Sequence, residues 1–235
     1  MSAPPALSVI VPCLDEEDNV SRFPETLFSA LERLGVSYEV IAVDDGSGDG
    51  TGERLEALRR RGLPLLPLRH ERTRGLGAAV ATAAAQARGE WIVTLDADMT
   101  FSPDQIALLL DAQRRTGADC VLGSPARGSF CGVPWSRRLP SAALNALYRL
   151  LFSSAITAYT PIFRLYRASL LRALKPDCAG FEVNAEIAVL LLRRDARIVE
   201  APVVLTARVL GSSKLRRVRE LGAHLRLLAR LLAGR

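Results

Sequence analysis

The sequence has few of the residues that build disulfide frameworks, zinc sites or histidine-based catalytic triads. Its 235 residues include four cysteines and two histidines, and no two cysteines form a C-x-x-C pair. Scattered cysteines of this kind indicate neither a disulfide framework nor a structural zinc site. P-loop and G-x-S-x-G motifs are also missing. We therefore expect a protein of a reducing compartment, the cytoplasm, that uses none of these chemistries.

Long apolar runs and aromatic residues are also scarce. No stretch reaches the roughly 18 apolar residues that a membrane-spanning helix needs. The N-terminal segment MSAPPALSVIVPC lacks the basic region of a secretory signal. Aromatic residues make up 6% of the chain, too few to favour a nucleic-acid surface built on base stacking. We therefore expect neither an integral membrane protein nor a nucleic-acid partner.

The charge of the chain is unevenly distributed. The formal net charge is +6, and eight basic residues but only one acid lie between Arg208 and the C-terminus. The hydrophobic content of 49% is enough for one sizeable core. We predict a folded domain over residues 1–207 and a basic, amphipathic helical segment over residues 208–235.

Short strand-like runs alternate with helix-like segments over the first 125 residues. The predicted strands cover residues 8–11, 38–43, 63–68, 91–95 and 120–123. This rhythm is typical of an α/β fold with a doubly wound, mostly parallel sheet and helices on both faces. In such sheets ligands bind beyond the carboxyl ends of the strands, so the loops at those ends are the candidate site.

Acidic loops follow three of the predicted strands. They are PCLDEEDN at residues 12–19, DDGSGDGT at 44–51 and DADMT at 96–100. In the second loop, Asp44 and Asp45 offer hydrogen-bond acceptors to a base or a ribose hydroxyl, and the glycines allow close backbone approach. A turn that leads into a helix cap explains the same residues equally well, and both interpretations stay open.

The third loop contains two aspartates one residue apart. In an extended segment Asp96 and Asp98 point to the same side. Two close carboxylates favour a hard cation such as Mg²⁺ or Mn²⁺, which can also bind phosphate oxygens. A solvated turn is the alternative. Packing alone, however, hardly explains why a buried strand ends in two acids that point into a cleft.

A second phosphate-binding element is predicted in RGLGAAV, residues 74–80. Its two glycines open a helix whose N-terminal amides favour an anion. Val80 stands where a dinucleotide fingerprint has its third glycine, so a hydride-transferring enzyme fits poorly. An ordinary glycine-rich loop is the other interpretation.

The ordered set of motifs resembles a known enzyme family. LSVIVPCLDEEDNV, VDDGSGDGT, RGLGAAVATA, GEWIVTLDADMTFSPD, FRLYR and GSSKL occur in the order seen in family 2 glycosyltransferases of the GT-A fold. Over roughly residues 7–215 the chain most resembles dolichol- and polyprenyl-phosphate mannosyl- and glucosyltransferases. This resemblance implies an inverting transfer of one hexose from a sugar nucleotide, GDP-mannose or UDP-glucose, with Mg²⁺ or Mn²⁺ at the diphosphate.

The resemblance also implies roles for individual residues. Asp98 is expected to be the main metal ligand, with Asp96 beside it near the ribose or sugar. Arg208 and Lys214 are expected to close over the diphosphate. The remaining residues expected to contact the donor nucleotide are Pro12, Asp15, Glu16, Asp44, Asp45 and Gly75.

The acceptor half of the chain departs from the family pattern. Ala158 replaces an acid, Pro161 and Ile162 replace a Ser-Gly pair, and Pro125 replaces an arginine. Thr100 stands where the relatives have a metal-binding glutamine. We therefore expect an acceptor pocket that is more apolar than in the relatives.

The acceptor determines which further residues matter. A phosphate acceptor is already anionic and needs cations, for which the candidates are Arg127, Arg137, Arg138 and Arg164. A hydroxyl acceptor needs a carboxylate base, for which the candidates are Glu182 and Glu186. A structural role for Glu186 at a helix start is an equal alternative.

The C-terminal segment has one apolar stripe at helical spacing. The stripe consists of Leu215, Val218, Leu221, Leu225, Leu228 and Leu232. Such a helix can lie in an anionic membrane interface and bring the enzyme to a lipid. Packing against the domain or against a second subunit, as in a homodimer, is the alternative.

The sequence thus predicts a metal-dependent hexosyltransferase. Its expected donor is a GDP- or UDP-hexose, and its expected acceptor is a polyprenyl phosphate or a similar lipid at the cytoplasmic membrane face. Two alternatives remain: transfer to a hydroxyl of a small or secondary metabolite, and a non-catalytic nucleotide-sugar-binding protein.

Overall fold

The computed structural model describes residues 4–208 and 217–233, apart from the side chains of Arg137, Arg217 and Val218. This part of the chain forms one seven-stranded sheet of order β3-β2-β1-β4-β6-β5-β7. Lys214 lies outside the described residues, so its predicted contact with the diphosphate stays a prediction. The strands are β1 (Leu7–Cys13), β2 (Tyr38–Asp44), β3 (Leu65–Arg69), β4 (Trp91–Thr94), β5 (Cys120–Cys131), β6 (Arg164–Arg167) and β7 (Ile198–Thr206).

Helices connect and cover these strands. A π-helical turn, Pro24–Phe28, joins the first two helices, and a 3₁₀ turn, Pro103–Gln105, precedes the fifth. Among the described residues, none of the helices is long and apolar enough to cross a bilayer. The helices are α1 (Glu17–Ser21), α2 (Ser29–Arg33), α3 (Thr51–Arg60), α4 (Leu76–Gln86), α5 (Ile106–Thr116), α6 (Trp135–Leu151), α7 (Ala168–Ala173), α8 (Val183–Leu192) and α9 (Arg217–Leu232).

The sheet is mostly parallel, as predicted. Strand β1 pairs in parallel with β2 and β4, and β2 pairs in parallel with β3. All five predicted strands are present. Strand β6 runs antiparallel between β4 and β5, and β7 pairs in parallel with β5. Strand patterning did not predict β6, because four residues with an arginine at each end show neither clear alternation nor a continuous apolar run.

The sheet is buried on both faces by two hydrophobic clusters. Along β1, Val9 and Val11 face the cluster under α2 and α5, whereas Ile10 faces the cluster under α4 and α8. This follows from the period of two in a strand, which points successive side chains to opposite faces. Burial on both faces explains why these strands read as continuous apolar runs. It leaves the strand ends as the place where polar side chains collect.

Helix α9 packs against the second of these clusters. Leu227, Leu228 and Leu231 are buried in it, and His224 Nδ1 lies 2.9 Å from the Tyr148 hydroxyl of α6. These contacts belong to one face of the helix, because residues three and four apart share a face. Helix α9 therefore completes the cover on this face of the sheet.

This packing divides the predicted apolar stripe. Leu228 is buried, whereas Leu221, Leu225 and Leu232 are exposed. Leu215 lies outside the described residues. Packing against the domain, the alternative to a membrane contact, therefore accounts for Leu228, and a membrane contact of the outward residues stays a prediction. The outward residues form a narrower second stripe.

Candidate active site

A cavity of about 560 Å³ opens at the carboxyl ends of β1, β2 and β4. We call it the central cavity. Its lining includes Pro12 and Glu16 from the first acidic loop, Asp45 from the second, and Asp96 and Asp98 from the third. The three acidic loops therefore converge as the parallel sheet requires. This rim is the candidate donor site.

Arg208 lies between two of these loops. Its Nε donates a hydrogen bond of 2.6 Å to Oδ2 of Asp98, and one of its terminal nitrogens is 3.7 Å from Oε1 of Glu16. The other oxygen of Asp98 accepts the backbone N–H of Thr100 at 3.1 Å. The predicted grouping of Arg208 with Asp98 is thus present, and the arginine offsets part of the negative charge of the rim.

The two aspartates of the third loop influence each other. Burial, assisted by the Asp98 carboxylate, raises the pKa of Asp96 to about 8; Arg208 opposes this effect and Glu16 adds to it. A carboxylate pair with this mutual repulsion is the donor set that a divalent cation neutralises. No group of three or more metal-binding side chains exists within the described ranges. Asp96 and Asp98 would suit Mg²⁺ or Mn²⁺, since Mg²⁺ is commonly bound through one or two carboxylates together with substrate phosphates.

The first two acidic loops are tied together by hydrogen bonds. Asp15 adopts a left-handed φ of 47°, its N–H donates to Ser47 Oγ at 2.9 Å, and its Oδ1 accepts the Gly48 N–H at 2.8 Å. The Glu16 N–H donates to Thr51 Oγ1 at 2.8 Å. Asp15 thus shapes the loop instead of lining the central cavity, whereas Glu16 does line it.

Asp44 is placed differently from the prediction. It lines a separate cavity of about 400 Å³ together with Gly52 and Arg69. Its Oδ1 accepts the Ser47 N–H at 2.9 Å, and its buried Oδ2 lies 3.3 Å from Arg69 Nε without hydrogen-bond geometry. The structure therefore separates Asp44 from the central cavity and gives no support to its predicted contact with the base.

Asp45 organises the entry to α4. Its Oδ1 lies 2.6 Å from His70 Nδ1 and accepts the Arg74 N–H at 2.9 Å, while Oδ2 accepts the Gly75 N–H at 2.7 Å. The other ring nitrogen of His70 lies 3.0 Å from Thr82 Oγ1. Asp45 lines the cavity, and these bonds fix the loop before α4 against the second acidic loop.

Two local features of the backbone require a glycine at position 75. Its φ is 94°, and a Cβ at this position would lie 2.3 Å from the Ala179 carbonyl oxygen. An L-residue with a side chain is therefore strained here both by its backbone and by contact. Gly75 and Leu76 line the central cavity, so the start of α4 lies at the site as the glycine motif predicted.

The far wall of the cavity is mostly apolar. Among the four candidate acceptor cations, Arg138 lines the cavity, and its guanidinium lies 4.3 Å from the ring centroid of Phe130. The side chain of Arg137 is outside the described residues. The apolar lining on this side consists of Phe130, Val133, Pro134, Pro161, Ile162 and Phe181. Whether this lining is more apolar than in the relatives, as the sequence departures predict, stays a prediction.

Arg164 and Arg127 are used elsewhere. Arg164 is fully buried, and its guanidinium donates to the carbonyl oxygens of Pro161, Asn184, Tyr159 and Ala158 at 2.6–3.4 Å. Arg127 Nε donates to Glu200 at 2.5 Å, outside the cavity lining. Their predicted contact with an acceptor is corrected, because Arg164 holds the backbone of residues 158–161 and Arg127 pairs with a buried acid.

Glu186 has a structural environment as well. It is buried, accepts the N–H groups of Asp177 at 3.1 Å and Cys178 at 2.8 Å, and pairs with Arg230 of α9. It does not line the cavity, and neither does Glu182. The structural alternative for Glu186 therefore replaces the catalytic one, because its oxygens are all engaged in holding α9 and the preceding loop.

Several cavity residues were not predicted from the sequence. They include Thr73, Asn184 and Phe181, and also Arg219 and Glu220 at the start of α9. These residues lie in helices or loops that reach the site only through tertiary packing. One signal was available for Glu220, which is the only acid in the basic C-terminal segment.

The chain is similar in sequence to characterised transferases. It is 33% identical over 215 residues to an undecaprenyl-phosphate mannosyltransferase of Micrococcus luteus, which covers 88% of this chain and 86% of that protein. It is 30% identical over 209 residues to an undecaprenyl-phosphate 4-deoxy-4-formamido-L-arabinose transferase of Edwardsiella ictaluri. That match covers 88% of this chain but 62% of the relative, so the chain spans less than two thirds of that relative's length.

The fold and the family agree with the sequence interpretation. The crystal structure of glucosyl-3-phosphoglycerate synthase from Mycobacterium tuberculosis, in complex with Mn²⁺, UDP and glucosyl-3-phosphoglycerate, matches with a TM-score of 0.69 at 23% identity. It covers 97% of this chain and 79% of that chain, and the predicted GT-A fold is thereby confirmed. The family model of glycosyl transferase family 2 matches residues 8–175. With more than half of its length matched, the chain belongs to glycosyl transferase family 2.

Proposed function

We propose that the protein is a metal-dependent, inverting hexosyltransferase that uses a GDP- or UDP-hexose. The observation that carries this proposal is the meeting of Asp96, Asp98, Glu16 and Arg208 at the carboxyl ends of β1 and β4. Two carboxylates fit a divalent cation, and a neighbouring guanidinium suits the second negative charge of a diphosphate. The M. luteus relative, a mannosyltransferase, supports a hexose as the transferred group.

Each part of the rim has a proposed task. Asp98 and Asp96 hold Mg²⁺ or Mn²⁺, which when bound neutralises charge on the leaving diphosphate. Arg208, which binds Asp98 and lies near Glu16, would hold a phosphate oxygen of the donor diphosphate at the same rim. Glu16 and Pro12 border the nucleoside, and the α4 N-terminus behind Gly75 favours the anionic end of the donor. Lys214 joins Arg208 in this proposal on the family resemblance alone.

The proposed acceptor is a polyprenyl phosphate or a similar lipid. The apolar far wall suits a lipid chain, and Arg138 is a cation within that wall that can position a phosphate. The relatives from M. luteus and E. ictaluri are both undecaprenyl-phosphate transferases, which supports this class. An ionised phosphate needs no strong base, in keeping with the structural use of Glu186.

We further propose that the protein meets this lipid at the cytoplasmic face of the membrane. Exposed apolar side chains lie on α9 and on α6, the helix that contacts α9 through Tyr148. Basic residues accompany them, and apolar side chains beside cations favour an anionic lipid interface. The exposed apolar residues are Leu221, Leu225 and Leu232 on α9 and Trp135, Leu139 and Leu150 on α6.

A transfer assay tests the function directly. The protein is incubated with radiolabelled GDP-mannose or UDP-glucose, MnCl₂ and undecaprenyl phosphate, and lipid-linked sugar is extracted and counted. We expect product with one of the two donors and none in excess chelator. Product formation that is unchanged by chelator contradicts the metal role, and binding of both donors without turnover or hydrolysis supports a non-catalytic nucleotide-sugar-binding protein instead.

A hydroxyl acceptor is the second candidate. The observation that favours it is the mostly apolar lining of the far wall, where the described cations away from the acidic rim are Arg138 and Arg219. The discriminating experiment replaces undecaprenyl phosphate by undecaprenol or by a panel of small alcohols in the same assay. Transfer to an alcohol but not to the phosphate establishes this alternative.

A further inference from the structure

Helix α9 contributes directly to the central cavity. Arg219 and Glu220 line it, although neither belongs to a loop at a strand end. The same helix is held in place by His224, which contacts Tyr148 at 2.9 Å, and by Arg230, which lies 3.3 Å from Asp177. These anchors follow Glu220 by one and by about three helical turns. The position of Glu220 is therefore determined by a packed helix.

Glu220 has an unsatisfied oxygen at this position. Its Oε2 is buried and has no hydrogen-bond partner among the described residues. A buried carboxylate oxygen without a partner costs free energy, and such oxygens in native proteins call for a specific explanation. Burial, assisted by the Glu182 carboxylate and opposed by Arg219, also raises the pKa of Glu220. Glu220 thus places an unpaired acceptor oxygen in the lining of the central cavity.

The chemistry of the substrates shows what this oxygen can bind. The proposed ligands carry ionised phosphates, which accept hydrogen bonds, and hydroxyls, which also donate them. A carboxylate repels a phosphate, and the nearby Glu182 carboxylate increases that repulsion. A neutral hydroxyl can instead donate to Oε2 and relieve the unsatisfied acceptor.

We propose that Glu220 accepts a hydrogen bond from a substrate hydroxyl and thereby selects substrates that carry this hydroxyl. The inference rests on the proposed glycosyl transfer and assigns α9 a part in specificity. The hydroxyl has two chemical sources, the hexose of the nucleotide sugar and the acceptor. A site built to bind a hydroxyl discriminates strongly against an analogue that lacks it, because the protein group is then left unpaired.

Binding measurements with two variants test the inference. Glu220→Gln keeps the shape of the side chain, and Glu220→Ala removes it. Calorimetry in MnCl₂ compares the nucleotide sugar that wild type uses with the matching nucleoside diphosphate. If the hydroxyl belongs to the hexose, Glu220→Ala weakens nucleotide-sugar binding by about 10- to 100-fold and leaves diphosphate binding unchanged. A loss of this size is expected for one charge-assisted hydrogen bond. If it belongs to the acceptor, donor binding and donor hydrolysis are unchanged, and KM for the acceptor rises by the same factor.

Deoxygenated substrates separate recognition from a structural effect. When the hexose donor lacks the hydroxyl in question, wild type and Glu220→Ala bind it equally, because the lost partner is the same. An equal additional loss for every deoxy-sugar, or weaker diphosphate binding, shows a structural role and overturns the inference. Glu25→Gln, an exposed acid outside the cavity lining, is the matched control and is expected to behave as wild type.

The two proposals fail in different ways. A wild-type protein that neither binds nor transfers any hexose from GDP-mannose or UDP-glucose refutes the proposed function, and this inference with it. A wild-type protein that transfers sugar while both Glu220 variants match it in donor binding and acceptor KM refutes the inference alone. Melting temperatures of the variants within a few degrees of wild type show that the comparison concerns folded protein.

Discussion

At the scale of single residues, the rim of the cavity concentrates opposing charges in a small volume. Asp98, Glu16 and Arg208 have side chains that are 5%, 11% and 22% exposed, so solvent screens their interactions only in part. Electrostatic interactions in such a site are stronger than on the surface. Substitutions at these positions are therefore expected to change the charge balance of the site, and with it the binding of charged substrates.

Asp98→Ala tests the proposed metal site. The variant loses the carboxylate proposed to hold the cation, so we expect transfer to fall by about 100-fold or more, the range seen when one transition-state charge stabiliser is removed. Circular dichroism is expected to be unchanged, because the substitution removes the repulsion between Asp96 and Asp98 together with the pair between Asp98 and Arg208. Asp111→Ala, an exposed acid paired with Arg115 on α5, is the control. Full activity of Asp98→Ala contradicts the metal role.

Gly75→Ala tests the local requirement at the start of α4. Alanine here meets both a left-handed φ and a carbonyl oxygen 2.3 Å from its Cβ. Gly35→Ala is the matched control, because Gly35 also has a positive φ, 64°, but nothing lies within 4 Å of its Cβ position. We expect Gly35→Ala to cost about 1 kcal/mol of unfolding free energy and Gly75→Ala about 1–3 kcal/mol more. Urea denaturation measures both, and equal costs refute the contact argument.

At the scale of secondary-structure elements, α9 has two roles on two faces. Its inner face completes the core, and its first turn supplies Arg219 and Glu220 to the cavity. A buried histidine of this helix, His224, contacts the Tyr148 hydroxyl of α6. Burial lowers the pKa of His224, and the Glu182 carboxylate opposes this effect. The folded state therefore disfavours the protonated form of His224 relative to the unfolded chain.

The docking of α9 is expected to depend on pH. The pKa of a histidine in the unfolded chain is about 6.5, and burial gives His224 a lower pKa in the folded state. Above about pH 6.5 the histidine therefore does not reduce the free energy of unfolding. Stability falls as the pH decreases from about 6.5 toward the folded pKa, because the unfolded chain binds the additional proton. Melting temperatures of wild type and His224→Gln from pH 8 to pH 5 measure this effect. We expect wild type to lose more stability on acidification than the variant, and parallel curves rule out the role of His224.

At the scale of the whole molecule, the exposed leucines of α9 and α6 form the surface proposed to meet the membrane. Truncation of the C-terminal segment is a poor test of this surface, because it also removes Leu227, Leu228 and Leu231 from the core. Substitution of the outward residues leaves the inner face intact. The boundary between residues 207 and 208 stays a prediction, but the buried face of α9 means that the helix and the sheet share one core.

Flotation with vesicles tests the surface. We expect wild type to float with vesicles that contain phosphatidylglycerol, and Leu221→Gln/Leu225→Gln/Leu232→Gln to bind at least 10-fold more weakly. Each basic residue near anionic lipid contributes about 1 kcal/mol, so high salt should reduce wild-type binding as well. Leu108→Gln on α5, also an exposed leucine, is the control. If neither protein floats and the triple variant changes from dimer to monomer, the stripe is a subunit interface instead.

The sequence alone determined the parallel half of the sheet and the acidic rim. Residues 8–11, 38–43 and 91–95 form the strands they predict because continuous apolar runs bounded by turns leave few other solutions. Parallel strands in turn bring their carboxyl ends together. Glu16, Asp45, Asp96 and Asp98 therefore reach one cavity by rules that are local in sequence.

Only the tertiary structure decided what lies opposite that rim. Arg164 reads as an acceptor cation, but it is buried against carbonyl oxygens from 158–161 and from α8. Glu186 reads as a catalytic acid, but it is engaged by Arg230, 44 residues away in the chain. Glu220 reads as an isolated acid in a basic tail, but it lines the cavity. In each case the role of the residue depends on which distant segment packs against it. That packing is determined by the burial of two hydrophobic clusters as a whole, and no local sequence pattern encodes it.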